Sequence, residues 1–452
     1  MQTIWAASAL LPEGWALGVT VRVENGRVHT ATPGTTPPPG AQRAEILLPA
    51  PANLHSHTFQ RAMAGLTEAR GPSGADSFWT WRALMFRFLD RLTPDDIEAI
   101  AAMAFVEMLE AGFGAVAEFH YLHHAPGGAP YADPADTAGR IVAAAAATGI
   151  GLTLLPVLYM QGGCDGRGLA PGQVRFGATV EGFARLVEGA ARHLPAAGPD
   201  AVLGVAPHSL RAVPPPALAA AAALRPGAPV HMHLAEQVAE VEEVRSALGA
   251  RPVEWLLANA DVGPRWCLIH CTQMEPAETR ALAATGAVAG LCPVTEASLG
   301  DGIFDGVTFA GAGGRFGIGT DSNIRIALTE ELRSLEYSQR LRDRGRAMLA
   351  DPARSTGRVL WDAAVAGGAQ ALARPAGITP GAWADLVALD GEAGDLAGRS
   401  GDGVLDALIF ARGEGAVRDV WSAGRPVVRD GWHGARDRVA ARYRAVVARL
   451  GA

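Results

Sequence analysis

The stretch NLHSHTFQ, residues 53–60, follows the apolar run EILLPAPA. Alternate side chains of an extended strand project to one face, so His55 and His57 leave the end of this run together. Two imidazoles so placed can grip one metal ion, whereas a pair of exposed turn histidines is the plainer reading of a lone H-x-H. Polar groups close further apolar runs: Glu118 and His120 in GAVAEFHYLHH, His208 in AVLGVAPHS, His231, His233 and Glu236 in PVHMHLAE, His270 in WCLIHCT, and Asp321 in RFGIGTDS. Among them, His55, His57, His233 and Asp321 offer three neutral imidazoles and one carboxylate. That set suits a borderline divalent ion such as zinc, with a position left for water. An ion of this kind lowers the pKa of its water to about 7, and Asp321 can hold or accept the water's proton.

Such residues meet only if the fold gathers them. With GLTLLPVLY and AVAGLCPVTE the apolar runs number eight, and Ala-rich helical stretches separate them. Eight buried strands, each followed by a helix, predict an α/β fold of the (β/α)8 type, a closed barrel whose C-terminal strand ends open onto one rim. A doubly wound open sheet is the alternative. The two ends of the chain read as β-rich: VTVRVENGRVHTA sets Asn25-Gly26 between alternating runs, a strong hairpin signal, and ADLVALD precedes the strand-turn-strand pattern VRDVWSAGRPVVRDG. A lone hairpin is marginally stable, so the ends are expected to pair into one small composite β-sandwich. The expected division is 1–47 for the first part of that unit, 48–377 for the barrel, and 378–452 for the second part with a terminal helix.

Composition narrows the partners. The 452 residues are 49% hydrophobic and 19% charged, enough for a large core, and the net charge of −7 leaves no basic footprint for nucleic acid or an anionic membrane. A small-molecule partner is expected. The four cysteines form no C-x-x-C pair and MQTIWAASALLPEG lacks the features of a secretory signal, which together imply a reduced cytoplasmic protein. The uncharged stretch 141–160, IVAAAAATGIGLTLLPVLYM, reads as helix, break and strand rather than a membrane span.

The stretches PANLHSHTFQRAMAGL, DSFWTWRALM, AVAEFHYLHH, HSLRAV, HLAEQ and TEASLGDGIF together resemble the amidohydrolase superfamily, whose marks are H-x-H after the first barrel strand, histidines after the fifth and sixth, and aspartate after the eighth. Within it they are similar to the branch that hydrolyses a formimino group carried by glutamate. The resemblance covers the whole chain and implies a homodimer, a dianionic substrate and one zinc ion on His55, His57, His233 and Asp321. It further implies that Glu236 and His270 act with Asp321 on the reacting group, and that Gln60, Arg82, Tyr121, His208 and Arg211 line the substrate pocket. The chain departs from the pattern at Gln273 and Asn323, where the family carries histidine.

Plainer roles compete for several residues. His231 alternates with His233 and is expected to face a helix; His123 and His124 read as loop residues, and Met103 and Met108 as helix core. Arg82 could be an ordinary helix-surface arginine, and Arg211, just beyond a strand, is the better placed to grip a carboxylate. Two other functions compete with the formimino reading. A deaminase of a purine- or pterin-type heterocycle would want an aromatic-lined pocket, and a barrel without catalysis would lack the full set of ligands, acid and base.

Overall fold

Asn25 and Gly26 adopt left-handed φ values of 49° and 77°, and the tight turn they form joins the strands Gly14–Glu24 and Arg27–Thr32. Two successive positive φ angles define the turn whose twist matches that of paired strands. The computed structural model describes residues 1–68 and 78–451, so Asp76 and Ser77 of DSFWTWRALM lie outside the described residues. The expected pairing of the two chain ends occurs through Leu386–Leu389, which runs antiparallel to Gln42–Pro49. The result is a single eight-stranded sheet, ordered Trp432–His433, Arg425–Arg429, Val417–Ser422, Leu386–Leu389, Gln42–Pro49, Gln2–Leu11, Gly14–Glu24, Arg27–Thr32. The sheet curls on its own filling of Ile4, Val19, Val21, Leu47, Leu386 and Trp421. Its outer turns meet so closely that a Cβ on Gly26 would lie 2.8 Å from the Ala423 carbonyl oxygen, and only glycine allows that contact.

The eight internal runs form eight parallel strands: Ala52–Ser56, Ala115–His120, Gly151–Leu158, the interrupted pair Val202–Leu203 and Ala206–Pro207, Val230–Leu234, Trp266–His270, Val288–Leu291 and Arg315–Ile318. Two parallel bridges, Val205 with Val230 and Ser56 with Asp321, join the strand groups and close the barrel. Local signals act as expected. Thr93 and Asp96 cap the helix Pro94–Glu110 reciprocally, and Gly149 at φ 76° ends the helix Asp136–Thr148 before strand three begins. No described helix is long and apolar enough to cross a membrane.

One difference concerns the first run. EILLPAPANLHSH reads as a single buried strand but holds two: residues up to Pro49 belong to the outer sheet, and Ala52–Ser56 opens the barrel. The sheet therefore reaches two residues past position 47. Barrel and sheet share a buried ion cluster in which Arg374 bonds both oxygens of Asp385 at 2.6 and 2.9 Å and Asp200 Oδ2 at 2.9 Å, while Arg425 bonds Asp200 from the other side.

Candidate active site

Strand parity sorts the polar strand ends. His55 near the end of the first strand and His57 just past it both turn inward. On strand two the inward residue is Phe119, whose ring centroid lies 5.1 Å from that of His55 and 4.6 Å from that of His233. Glu118 and His120 therefore belong to the opposite face: Glu118 accepts from the backbone N–H and hydroxyl of Thr58, and His120 pairs with the Thr137 hydroxyl at 3.0 Å. His231 faces outward as expected, its Nε2 donating to the Ala371 carbonyl at 2.8 Å. Met103 and Met108 are buried in their helix.

The inward set converges. His55 Nε2 lies 3.1 Å from His233 Nε2, His57 Nε2 lies 3.4 Å from the same atom, and Asp321 Oδ1 is 3.3 and 3.2 Å from the Nε2 atoms of His55 and His57. Nδ1 of His57 contacts the Phe119 carbonyl at 3.0 Å, and Nδ1 of His233 that of His208 at 3.2 Å. A carbonyl only accepts, so both Nδ1 atoms carry the hydrogen and both Nε2 atoms present bare lone pairs. Burial keeps the rings neutral, lowering His57, His233 and, to about 3, His55. Lone pairs and a carboxylate facing one another without enough hydrogens require a cation. A tetrahedron with bonds of about 2.0–2.1 Å has edges of about 3.3–3.4 Å, close to the spacing already present, so these residues fit a divalent ion.

The backbone around them is laced and strained. His57 N donates to the Asp321 carbonyl, and Asp321 N donates to that of His55, both at 2.9 Å. Asn323, one of the two departures from the family pattern, is fully buried here. Its amide donates to the Ser56 hydroxyl at 3.1 Å and the Asp321 carbonyl at 3.0 Å, and its Oδ1 accepts from Thr320 at 2.6 Å. It thereby ties strand one to strand eight beneath the ligands. Gln273, the other departure, stands back from the cleft and donates to the Asp301 carbonyl. Ala235, His270 and Asp321 hold φ of 50°, 71° and 42°, a concentration of left-handed non-glycine residues at three strand ends.

Above this cluster opens a cleft lined by His57, Gln60, Arg82, Tyr121, His208, Arg211, His233, Glu236, His270 and Asp321. Of the residues expected to hold the ion, act on the substrate or line its pocket, only His55 is absent from the wall; it is fully buried. His270 Nε2 is 3.9 Å from both Glu236 Oε1 and Asp321 Oδ2, and its Nδ1 is 3.2 Å from Glu296 Oε1. Burial pulls its pKa down, but the carboxylates of Glu236, Glu296 and Asp321 outweigh burial and push it up to about 10. Burial raises Glu236, with His270 and Arg211 opposing. Arg211 Nη2 lies 3.9 Å from Glu236 Oε2, Gln60 Nε2 donates to the Tyr121 hydroxyl at 3.1 Å, and Arg82 donates to the Tyr159 hydroxyl at 2.9 Å.

Sequence reasoning missed Tyr159, Phe176 and Glu296. Tyr159 follows strand three as Tyr121 follows strand two, a parallel that could have flagged it. Glu296 stands in the quoted TEASLGDGIF without a role. His123 is also more than a loop residue: it is buried, and its Nε2 donates to the Val157 carbonyl at 2.9 Å. Burial lowers its pKa to about 4, so the unfolded chain binds the proton first. The stability this contributes is complete above about pH 6.5 and is lost as pH falls toward 4, an expected ~3 kcal/mol. His123→Gln keeps a donor without the titration. Urea unfolding at pH 6.5 and 4.5 should show a smaller acid loss for the variant, and equal losses would remove His123 as the cause.

Similarity to known proteins agrees with this geometry. Residues 46–427 match the amidohydrolase family. The chain belongs to the amidohydrolase family. Residues 1–45 match the N-terminal domain of formimidoylglutamate deiminase HutF. A formimidoylglutamate deiminase of Pseudomonas aeruginosa is 50% identical over the full length of both chains, and an 8-oxoguanine deaminase of the same organism is 31% identical over 66% of this chain and 65% of its own. Among solved structures, an amidohydrolase from Brucella melitensis superposes with a TM-score of 0.96 at 50% identity over all of both chains. A zinc-bound adenosine deaminase from Xanthomonas campestris shares the amidohydrolase fold at a TM-score of 0.82 and 21% identity, over 100% of this chain and 98% of its own.

Proposed function

We propose that this amidohydrolase converts N-formimidoyl-L-glutamate to N-formyl-L-glutamate and ammonia, a step of histidine degradation. The observation that carries the reading is the full-length 50% identity to the P. aeruginosa deiminase. Two guanidinium groups, Arg82 and Arg211, in one cleft with the ligand cluster support it, because a substrate with two carboxylates needs such partners. Trp81, Phe86, Tyr121, Tyr159 and Phe176 also line the cleft, so aromatic content alone does not separate this substrate from an aminoheterocycle. The paired guanidiniums favour a dicarboxylate.

In this reading His55, His57, His233 and Asp321 hold one zinc ion. When bound, the ion supplies Lewis acidity and a water of lowered pKa. The chain's own groups handle the protons. Asp321 Oδ2 takes the proton of the attacking water, and His270, whose Nδ1 is held by Glu296 at 3.2 Å, stabilises through its Nε2 the charge that develops on the attacking oxygen. Glu236 delivers a proton to the terminal nitrogen, whose bond to the tetrahedral carbon breaks; the remaining oxygen proton then returns to Glu236 as the formyl carbonyl forms, and the proton held by Asp321 leaves on the ammonia. Amidinium plus water thus gives the formyl amide plus ammonium, with charge and atoms conserved. Arg82 and Arg211 orient the glutamate end, while Gln60, Tyr121 and His208 bound the reacting end.

Product analysis tests the reading. N-formimidoylglutamate should yield ammonia and N-formylglutamate in equal amounts, while formamide and glutamate as main products would refute the placement of Glu236. Deamination of a purine or pterin with no turnover of the formimino substrate would favour the alternative. Arg211→Ala and Arg82→Ala should each weaken dicarboxylate substrates by roughly ten- to a hundredfold more than monocarboxylate ones in kcat/KM. Equal losses on both classes would remove the carboxylate clamp. The reading also includes a homodimer, implied by family resemblance and testable by sedimentation. It also takes the two chain ends as one composite unit, the first end running to Pro49 rather than to 47, on the barrel that begins with Ala52, and a cytoplasmic setting consistent with four unpaired cysteines.

A further inference from the structure

The Tyr159 side chain stands just past strand three, buried, with its ring edge against His208 at a centroid distance of 4.6 Å and tilted on Phe176 at 5.7 Å. Its hydroxyl receives two hydrogen bonds, from Arg82 Nη2 at 2.9 Å and from Gln173 Nε2 at 2.8 Å. Neither can run the other way. A guanidinium only donates, and the Gln173 amide is oriented by its Oε1, which accepts the Ala170 backbone N–H at 2.8 Å. With both acceptor directions of the phenol oxygen filled, its single hydrogen must point in a third direction. Among the described residues no acceptor meets it, yet Tyr159 lines the cleft, between the side that carries Arg82 and the side that carries His208 and Arg211. A buried donor without a partner is costly unless a ligand completes it.

We propose that Tyr159 is a specificity-determining residue whose O–H donates to one substrate carboxylate, the same one that Arg82 faces. Gln173 and Arg82 lock the phenol so that its hydrogen points at that oxygen before substrate arrives. The proposal rests on the formimidoylglutamate reading for the identity of the substrate, but its chemistry requires only a carboxylate ligand. Hydrogen bonds to charged groups are stronger than neutral ones, and a donor fixed in advance loses little freedom on binding.

Tyr159→Phe retains the ring packing and removes the hydroxyl. With N-formimidoylglutamate the variant should raise KM by roughly ten- to a hundredfold and leave kcat within about threefold. Formimidoyl derivatives of 4-aminobutyrate and of 2-aminobutyrate each lack one of the two carboxylates. The effect should vanish on one and persist on the other, and an equal effect on all three substrates would overturn the proposal. A double-mutant cycle separates direct contact from an effect through Arg82. If Tyr159 binds the carboxylate itself, Tyr159→Phe still weakens binding in an Arg82→Ala background, whereas loss of the effect there would reduce Tyr159 to a support for Arg82 and overturn the claim. Inhibition by glutarate provides a readout independent of turnover. A raised inhibition constant in Tyr159→Phe, found alongside no activity on formimidoylglutamate, would sustain the carboxylate contact while ending the substrate reading. An unchanged constant would end the carboxylate contact whatever the substrate.

Discussion

Asp321→Asn and His55→Ala proteins are expected to purify folded, with less than one divalent ion per chain, and to turn over on the order of 10³-fold or more slowly than the parent. Both side chains point into the convergent cluster, where each places an atom about 3.1–3.3 Å from a neighbouring ligand. The hydrogen bonds that join strands one and eight at this point run through the backbone and through Asn53, Thr320 and Asn323, and both substitutions leave them in place. Asparagine is the better replacement at 321 because it tolerates the left-handed φ of 42° there. Metal content by plasma emission, circular dichroism and turnover check the three parts separately. Full activity of a metal-free preparation, or a second ion at comparable occupancy in the parent protein, would end the one-ion reading.

Glu236→Gln is expected to lower kcat by about 10²- to 10⁴-fold while metal content and KM stay near those of the parent. The residue is anchored through its backbone, its N–H donating to Glu240 at 2.9 Å and its carbonyl accepting from Thr272 at 2.7 Å, so an isosteric change of the side chain leaves it in place. What is lost is the transferable proton. Glutamine has none to give the leaving nitrogen, while His270, 3.9 Å from the same side chain, keeps its contact with Glu296. Single-turnover ammonia release is the direct check. A variant that keeps kcat within about tenfold of the parent would assign the proton transfer to another group.

Much of the architecture was legible because hydrophobic periodicity reports burial directly. The eight apolar runs, the Asn25-Gly26 turn, and the helix, break and strand at 141–160 all appear where residue types placed them. The same signal misled at EILLPAPANLHSH, since segments buried in two different sheets look alike when only apolarity is read. Strand parity was the other weak point. Glu118 and His120 close a strand just as His55 and His57 do, yet a strand's two faces are distinguished only by what packs on each, and here Phe119 takes the inner side.

What the sequence determined by itself is therefore the inventory: a barrel's worth of strands, a composite sheet from the two ends, and histidines and carboxylates at strand termini of the types that bind a divalent ion. These follow from side-chain chemistry and local periodicity, which each residue carries with it. Tertiary structure alone decided which lone pairs converge, that Glu296 backs His270, that Asn323 ties strand one to strand eight, and that Tyr159 holds a hydrogen with nowhere to go. Those are properties of distances between residues far apart in the chain, and they arise only when closing the barrel brings Ser56 beside Asp321 and forces the strand ends onto one rim.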